Sequence, residues 1–409
     1  MRPLLNTSFI QKAGGNFRVA LGLVGVATAA AATGYYWVLI RKLGRATDVQ
    51  AHVAILYHAC VGNGSVASNF GFYQLVHVAS GFSCERPRLL NTAIVVLAVA
   101  WSGVVVASCY AGFGLLKQRA LAHHLPGDAR QKAVGLLAAV ASCLVFPLPL
   151  NSADWYLGML PPNVFHNSTI ISAMPFSILA FGGGVRRLAG RAAATWADDL
   201  LLGLLLVVGA IFKPSYAFAF GPAYALLFAL KFRFQPAQLV RLALLLLPLT
   251  LVVAGQLAWT THHPQDTLNG ASVLAVGFPA GWHTFVPRYG GWQILACVAG
   301  SFLLPVAAYG LRPDWLKRPA HQLALLSLLV GFGLFMLLHE TGRRALHGNF
   351  IWQVVAANHV LHWLIILEVF AWVPTRRNPS RKRQLLLGLI AIEGLSGVSY
   401  LLKLLLVGP

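Results

Sequence analysis

Long runs of apolar residues recur along this chain, and they constrain its fold more than any other feature. Many approach 20 residues, about the length that an α-helix needs to cross a bilayer. They lack the short segments of alternating polarity that are typical of membrane β-barrels. Hydrophobic residues make up 57% of the sequence and charged residues 10%, and the mean hydropathy is +0.69. We therefore expect an all-α, polytopic membrane protein, since helices satisfy their own backbone hydrogen bonds in lipid.

The apolar windows predict about eleven transmembrane helices within a single transmembrane domain, residues 1–409. The expected spans lie near 19–40, 89–116, 133–150, 168–184, 199–212, 216–230, 240–259, 291–311, 322–338, 350–374 and 385–406. The first run imitates a signal peptide, but it is long enough to span, so we expect it to stay as a helix. Residues 41–88 then form a long extracytoplasmic loop, in which the aromatic stretch 68–82 is expected to form interfacial helix.

The chain is strongly basic, with 31 Lys and Arg against 11 Asp and Glu. Basic stretches such as 185–191 and 375–384 fall between apolar runs, where the positive-inside rule places them in the cytoplasm. This predicts a cytoplasmic N-terminus and places Asp199 in a solvated inner loop. No basic groove interleaved with aromatic residues is visible, so we expect no nucleic-acid partner.

The five cysteines show no spacing typical of a metal site. Cys60 and Cys84 fall in the same predicted outer loop and could form a disulfide in an oxidising compartment, although free buried thiols are the commoner arrangement. Glu368 and Glu393 lie within predicted spans. Because an acid is costly there, each marks a partner or a pathway.

The stretch TDVQAHV follows the first apolar run and carries the first candidate site. Thr47 is a good N-cap, and Asp48 and His52 share one face of the helix that follows. A carboxylate and an imidazole placed in this way can serve as a general base and as a ligand for a phosphate or an acceptor. The simpler interpretation is that Thr47 and Asp48 only begin an interfacial helix.

A second outer segment, 151–176, has no Lys or Arg and contains Asp154, His166 and Asn167. Ser168 or Thr169 as a helix cap would explain part of this pattern. Between the short spans 199–212 and 216–230, the sequence KPSY breaks the backbone, so Lys213 is expected to line a cavity at membrane depth.

The densest polar cluster is LLHETGRRALHGNFIWQ, residues 337–353, which contains His339, Glu340, Arg343, Arg344, His347 and Asn349. A solvated loop with Glu340 paired to an arginine is one interpretation. Paired arginines on the outer face nevertheless run against the positive-inside bias, and guanidinium groups bind phosphate oxygens bidentately. An anionic ligand at this face would explain them, with Lys213 and Arg288 as further cations.

Together these features resemble the GT-C superfamily, integral membrane glycosyltransferases that use polyprenyl-phosphate sugars. The resemblance covers roughly residues 19–370 and rests on TDVQAHV followed by GNG, PPNVFHNST, FKPSYAFAFGP and RRALHGNFIWQ. It implies transfer of a sugar from a lipid-linked donor to a glycan, lipid or other hydroxyl acceptor at the periplasmic face. It also implies that Asp48 is the catalytic base and that Asp154 binds metal or acceptor.

The residues that we expect to bind substrate are His52, Asp154, His166, Asn167, Lys213, Arg288, Glu340, Arg343, Arg344, His347 and Asn349. The sequence predicts no metal ligands, since no acidic pair accompanies Asp154, and it leaves a Mg²⁺ or Mn²⁺ cofactor open. Two other functions stay open. A polysaccharide polymerase or O-antigen ligase would bind polyprenyl diphosphate and could use His339 or His347 as its base. A transporter or flippase would show paired broken helices, of which only KPSY is visible.

Overall fold

The computed structural model describes residues 15–45, 47–123, 128–148, 160–190, 195–262, 274–279, 291–341, 349–373 and 380–408. Most of them are helical. The helices are α1 (Gly15–Tyr36, continued by a π-helical segment Trp37–Lys42), α2 (Asp48–Cys60), α3 (Gly71–Ala79), α4 (Arg86–His123), α5 (Asp128–Leu144), α6 (Ser168–Ala189), α7 (Trp196–Phe212), α8 (Ser215–Lys231), α9 (Pro236–His262), α10 (Gly291–Ser301), α11 (Leu303–Leu311), a 3-10 turn (Pro313–Lys317), α12 (Pro319–Leu337), α13 (Ile351–Ala371) and α14 (Ser380–Leu406).

Seven helices of the described residues are long and apolar enough to cross a membrane, as expected for an all-α polytopic protein. They cover Phe17–Lys42, Arg86–Gln118, Ser168–Ala189, Pro236–Thr260, Pro319–Leu337, Ile351–Ala371 and Arg381–Leu406. Three further predicted spans correspond to α5, α7 and α8, which have 17 residues each. Such a helix rises roughly 26 Å, a little less than the hydrocarbon core. The remaining predicted span, 291–311, is divided at Phe302 into α10 and α11, so the count of about eleven stays a prediction.

One short sheet departs from the helical pattern. Strands β1 (Leu274–Val276) and β2 (Leu338–Glu340) pair antiparallel, with Ala275 opposite His339. The segments lie at or beside two predicted outer loops, 260–290 and 339–349. Their pairing joins the segment that follows α9 to the end of α12.

Helix α13 forms the centre of the bundle. Its residues from Ile351 to Val369 are all buried, and it packs against α5, α8 and α12. A helix that is covered on every side needs partners for its polar side chains, because burial of an unpaired polar group is costly. Asn358 and His359 find theirs in the connection 160–167, which precedes α6.

The connection 160–167 is irregular backbone that is nonetheless buried. Asn358 Nδ2 donates to the Leu160 carbonyl at 2.7 Å, and the Leu160 N–H donates to Ser301 Oγ at 2.9 Å. Asn163 Nδ2 lies 2.7 Å from the carbonyls of both Ser142 and Val145. At the other end of the segment, the Tyr36 hydroxyl donates to the Phe165 carbonyl. Side chains and backbone from α1, α5, α10 and α13 therefore fix this segment.

The two acids within predicted spans lie near basic side chains. Glu368 is paired with Arg318 at 3.0 Å and lies 3.5 Å from His321 Nε2, whereas Glu393 Oε2 lies 3.6 Å from His362 Nε2. The expectation that such an acid marks a partner or a pathway is confirmed for Glu368, whereas Glu393 Oε2 has no hydrogen-bond partner among the described residues.

The expectation that Asp199 is solvated is wrong. This residue is only 4% exposed, its Oδ1 accepts from Arg187 Nε at 3.0 Å, and its Oδ2 pairs with Arg241. A short connection between two helices, α6 and α7, brings Arg187 back onto the first turn of α7. The charge is therefore compensated within the packed helices rather than by water.

A disulfide joins the end of α2 to the start of α4. Cys60 and Cys84 are bonded with a Cα–Cα separation of 5.7 Å, within the range that a disulfide requires. The expectation of free thiols is therefore wrong for this pair. The bond ties α2, which carries Asp48 and His52, to a long spanning helix.

The approach of α14 to α5 offers a test of the packing. A Cβ added at Gly397 would overlap the Leu144 carbonyl oxygen, which is backbone and cannot rotate away. We expect Gly397→Ala to lower the free energy of unfolding by about 1–3 kcal/mol through overpacking. Thermal unfolding of the detergent-solubilised protein measures this.

Gly394→Ala is the matched control, because a Cβ at Gly394 on the same helix meets nothing within 4 Å. There the better helix propensity of alanine should leave stability unchanged or raise it by up to about 1 kcal/mol. Equal effects of the two substitutions would contradict the packing of α14 on α5.

Candidate active site

The first turn of α2 is fixed by a capping arrangement. Thr47 is the N-cap, as predicted, and Gln50 Oε1 accepts from the Thr47 N–H at 2.6 Å and from its hydroxyl at 2.7 Å. Gln50 Nε2 also donates to the Arg45 carbonyl at 2.7 Å. These Gln50 hydrogen bonds fix the residue at which α2 begins. They therefore fix the position of Asp48, whose side chain is half-buried.

One helical turn later, His52 meets a tyrosine from α3. His52 Nδ1 lies 2.7 Å from the Tyr73 hydroxyl, and its ring packs against Phe72 with centroids 5.8 Å apart. Burial lowers the pKa of His52 to about 4, and the nearby Asp48 carboxylate only partly opposes that shift. The imidazole is therefore neutral at pH 7. If Tyr73 donates to Nδ1, the ring proton is on Nε2, which is left as a donor.

Helix α3 is held in place by the end of α7. Asn69 Nδ2 donates to the Phe212 carbonyl at 3.0 Å, and a Cβ at Gly71 would already be in tight contact with the Ile211 backbone at 3.1 Å. Phe212 is the last residue of α7, and Lys213 follows it at the break between α7 and α8. Helix α3 therefore packs beside this lysine.

Lys213 lies at the break between α7 and α8, where the sequence predicts a lysine lining a cavity. Its Nζ lies 4.7 Å from the centre of the Trp352 ring and 3.5 Å from Asn167 Oδ1. Burial lowers the pKa of Lys213 to about 8, and the Asp48 carboxylate acts in the opposite direction. Most of the lysine is therefore still protonated at pH 7. The cation–π contact with Trp352 stabilises the ammonium in this position.

Asn167 has a structural role as well as a place beside Lys213. Its Oδ1 caps α6, accepting from the Ile170 N–H at 3.0 Å and from the Thr169 hydroxyl at 3.0 Å. The alternative that Ser168 or Thr169 is the cap is therefore wrong. His166 directly precedes this cap in the sequence, so it lies at the N-terminal end of α6.

His166 faces the same aromatic ring as Lys213. Its ring centroid lies 6.5 Å from that of Trp352, in an edge-to-face arrangement. Burial lowers the pKa of His166, and the Asp48 charge raises it in part. This second imidazole is therefore also neutral at pH 7.

Four polar residues, Asp48, His52, His166 and Lys213, influence one another electrostatically. The Asp48 carboxylate acts on His52, His166 and Lys213, and the Lys213 ammonium acts on both histidines. Coulombic effects of this kind require short separations in a desolvated site. Three segments that are far apart in sequence therefore meet: the start of α2, the connection before α6 and the break after α7.

Two buried hydroxyls border these segments. Ser168 Oγ, next to Asn167, and the Tyr216 hydroxyl, three residues after Lys213, have no hydrogen-bond partner among the described residues. Buried polar groups are normally paired, so these two hydroxyls are available to hydrogen-bond water or a polar ligand.

Not every predicted residue can be placed. Asp154, Arg288, Arg343, Arg344 and His347 lie outside the described residues. Glu340 and Asn349 are described and are hydrogen-bonded to each other, with Asn349 Nδ2 as the donor. Asn349 is three residues before Trp352, which puts its Cα within about 11 Å of that residue. The segment that holds the arginines therefore ends at the border of the site.

Tyr73 and Trp352 were not among the predicted site residues. Tyr73 belongs to the predicted interfacial helix and Trp352 to the polar cluster 337–353, but an aromatic residue at a helix start carries no signal of its own, because most such residues only pack. For metals, the described residues contain one group of potential ligands, Cys60, His77 and Cys84. Its two cysteines form the disulfide, so no metal role follows from it.

The hydrogen bond between α2 and α3 can be tested by Tyr73→Phe. The substitution removes the hydroxyl on His52 Nδ1, and we expect a loss of about 0.5–1.5 kcal/mol in the free energy of unfolding. Tyr57→Phe is the matched control, because the Tyr57 hydroxyl has no hydrogen-bond partner in the described part of the chain. Thermal unfolding in detergent should separate the two variants, and identical curves would refute the contact.

Comparison of the chain with protein-family models, with curated proteins and with solved structures finds no match. The geometry and charge of the site are therefore what a function can be argued from.

Proposed function

We propose that this protein is a membrane glycosyltransferase of the GT-C kind, which transfers a sugar from a polyprenyl-phosphate donor to a hydroxyl acceptor at the extracytoplasmic face. The observation that carries the proposal is that the Asp48 carboxylate acts electrostatically on Lys213 and on two neutral histidines, while Lys213 itself contacts Asn167 and Trp352. A carboxylate and a half-buried cation that act on each other are what an inverting displacement at a sugar phosphate needs.

Asp48 is the general base. In the reaction, the acceptor oxygen bonds to the anomeric carbon while its proton passes to the Asp48 carboxylate. The bond from the anomeric carbon to the phosphate oxygen breaks, and its electron pair leaves with the phosphate. One displacement of this kind inverts the configuration at the anomeric carbon. The capping of α2 by Thr47 and Gln50 supports this role, since it holds the carboxylate at a fixed place.

Lys213 stabilises the leaving phosphate. Lysine binds phosphate as a compact positive charge, and Trp352 and Asn167 hold this one in position. Because the ammonium is already desolvated, the protein need not reorganise when negative charge grows on the phosphate, and this preorganisation is a major source of catalysis.

The histidines bind the sugar or the acceptor. A neutral imidazole both donates and accepts hydrogen bonds, which suits hydroxyl groups and adds no charge to the site. His52 is oriented by Tyr73, and His166 packs edge-to-face against Trp352.

The membrane arrangement that we propose has about eleven spans, with the N-terminus in the cytoplasm of a bacterium and the site at the periplasmic side of the inner membrane. The site supports this arrangement in one respect. It draws on residues of 41–88, of 160–167 and of the break at Lys213, and on the start of α13. The alternation of eleven spans assigns all four to the same side.

In this proposal, Asp154, Arg288, Arg343, Arg344 and His347 complete the binding of donor and acceptor, with Glu340 and Asn349 at the border. Of these, the two arginines are the best suited to the phosphate, since guanidinium forks bind its oxygens bidentately. A role for Mg²⁺ or Mn²⁺ is decided by measuring transfer with and without a chelator.

Asp48→Asn tests the base. We expect the rate of sugar transfer from a polyprenyl-phosphate donor to fall at least about a hundredfold, while the donor binds within a few-fold of wild type. Glu85→Gln is the matched control, because Glu85 is an exposed acid in the same segment, and its rate should stay unchanged. Near-normal transfer by Asp48→Asn would move the base elsewhere and favour the ligase or polymerase.

Lys213→Arg tests the cation through pH. Since the pKa of Lys213 is lowered to about 8, the ammonium is lost as the pH rises through that value. Affinity for polyprenyl phosphate should therefore fall above about pH 8. The arginine variant, which stays charged, should bind weakly but without this alkaline loss.

Equilibrium binding between pH 6.5 and 9.5 gives the comparison, with Lys42→Arg as the control for an exposed lysine in a neighbouring segment. Parallel curves for wild type and Lys213→Arg would exclude Lys213 as the phosphate ligand.

A further inference from the structure

An apolar groove of about 710 Å³ runs along the outside of the bundle between α11 and α14. Ala307 and Leu311 form one wall, and Leu385, Leu389 and Ile392 form the other. The groove lies along Arg381–Leu406, one of the helices suited to span a membrane. Its walls would therefore meet lipid chains rather than water.

Two helical glycines open the groove. A Cβ added at Gly310 or at Gly388 would meet nothing within 4 Å. Side chains at these positions would fill the space, and the helices would not have to move apart to hold them. The groove is therefore a surface feature that a ligand can occupy without rearrangement.

One end of the groove is basic. Arg381 lines it and is exposed. Lys382 Nζ donates to the Leu311 carbonyl at 3.3 Å, which places a second positive charge at the end of α11. Exposed Lys317 follows in the 3-10 turn after α11. Asp314, the acid nearest to it in sequence, is already paired with Arg312 and Arg318.

The length of the groove matches one leaflet. From Arg381 to Ile392 the helix rises roughly 16 Å, about half of a hydrocarbon core of 30 Å. With Arg381 at the membrane interface, the apolar end lies near the middle of the bilayer. A ligand of this shape has an anionic head and acyl chains that reach the midplane.

We propose that this groove binds an anionic phospholipid, with its phosphate at Arg381 and Lys382 and an acyl chain along Leu385, Gly388 and Ile392. Charge complementarity selects this occupant. A zwitterionic lipid would fill the apolar part equally well, but it would gain less from the cations, each of which contributes about 1 kcal/mol near an anionic lipid. The site is separate from the glycosyltransferase proposal and does not depend on it.

Binding of phosphatidylglycerol and phosphatidylcholine to the full-length protein in mixed micelles tests the proposal, with native mass spectrometry to count the retained lipids. Wild type should prefer phosphatidylglycerol by about fivefold or more, the effect of at least one cation. The double variant Arg381→Gln, Lys382→Gln should lose this preference and keep its affinity for phosphatidylcholine.

Gly388→Leu should weaken the binding of both lipids, because its side chain fills the groove. Its control is Gly22→Leu on α1, an exposed glycine that also has open space around it. Arg130→Gln is the control for loss of an exposed arginine elsewhere. Equal affinity of wild type for the two lipids would overturn the proposal, as would control variants that weaken binding as much as the groove variants do. Should the double variant not fold, Arg381→Gln alone keeps the test, since Arg381 is exposed.

Discussion

The rest of the structure depends on how the helices satisfy the irregular backbone of residues 160–167. Non-helical backbone inside a membrane bundle is tolerated only where protein supplies its hydrogen bonds. Here Asn358 and Ser301 bind Leu160, and Asn163 bridges the end of α5. His359 Nδ1 lies 3.1 Å from the Pro162 carbonyl. If any of these partners were lost, a buried polar group would be left unpaired. The loss would destabilise the segment 160–167, which leads into the site.

This constraint links the core to the chemistry. The connection ends at Asn167, whose side chain both caps α6 and approaches Lys213. Trp352, on the same central helix as Asn358, provides the aromatic face on which Lys213 rests. The buried polar network therefore acts as a positioning device. It holds Asn167 beside Lys213, and His166 directly precedes Asn167 in the chain.

The sequence predicted site residues best where a polar side chain stands next to an apolar run. Asp48, His166 and Lys213 are rare polar residues next to apolar runs, and the structure brings them together. The sequence could not predict which side chains become partners through tertiary packing. Tyr73 reads as one more aromatic of an amphipathic helix, and Asp199 reads as a loop acid until Arg187 and Arg241 are seen to cover it. Such pairings depend on distances between helices, which no local pattern encodes.

The charges in the site also suggest why one lysine can serve the proposed reaction. Before transfer, the Lys213 ammonium faces the Asp48 carboxylate and a donor phosphodiester that carries one negative charge. During transfer, Asp48 takes a proton and becomes neutral, while the leaving phosphate becomes a monoester with nearly one more negative charge. The sum of charges in the site is therefore almost conserved. The attraction of Lys213 for the carboxylate is replaced by attraction for the phosphate, so a partly desolvated cation that acts on both groups favours the transition state without a change in its own charge.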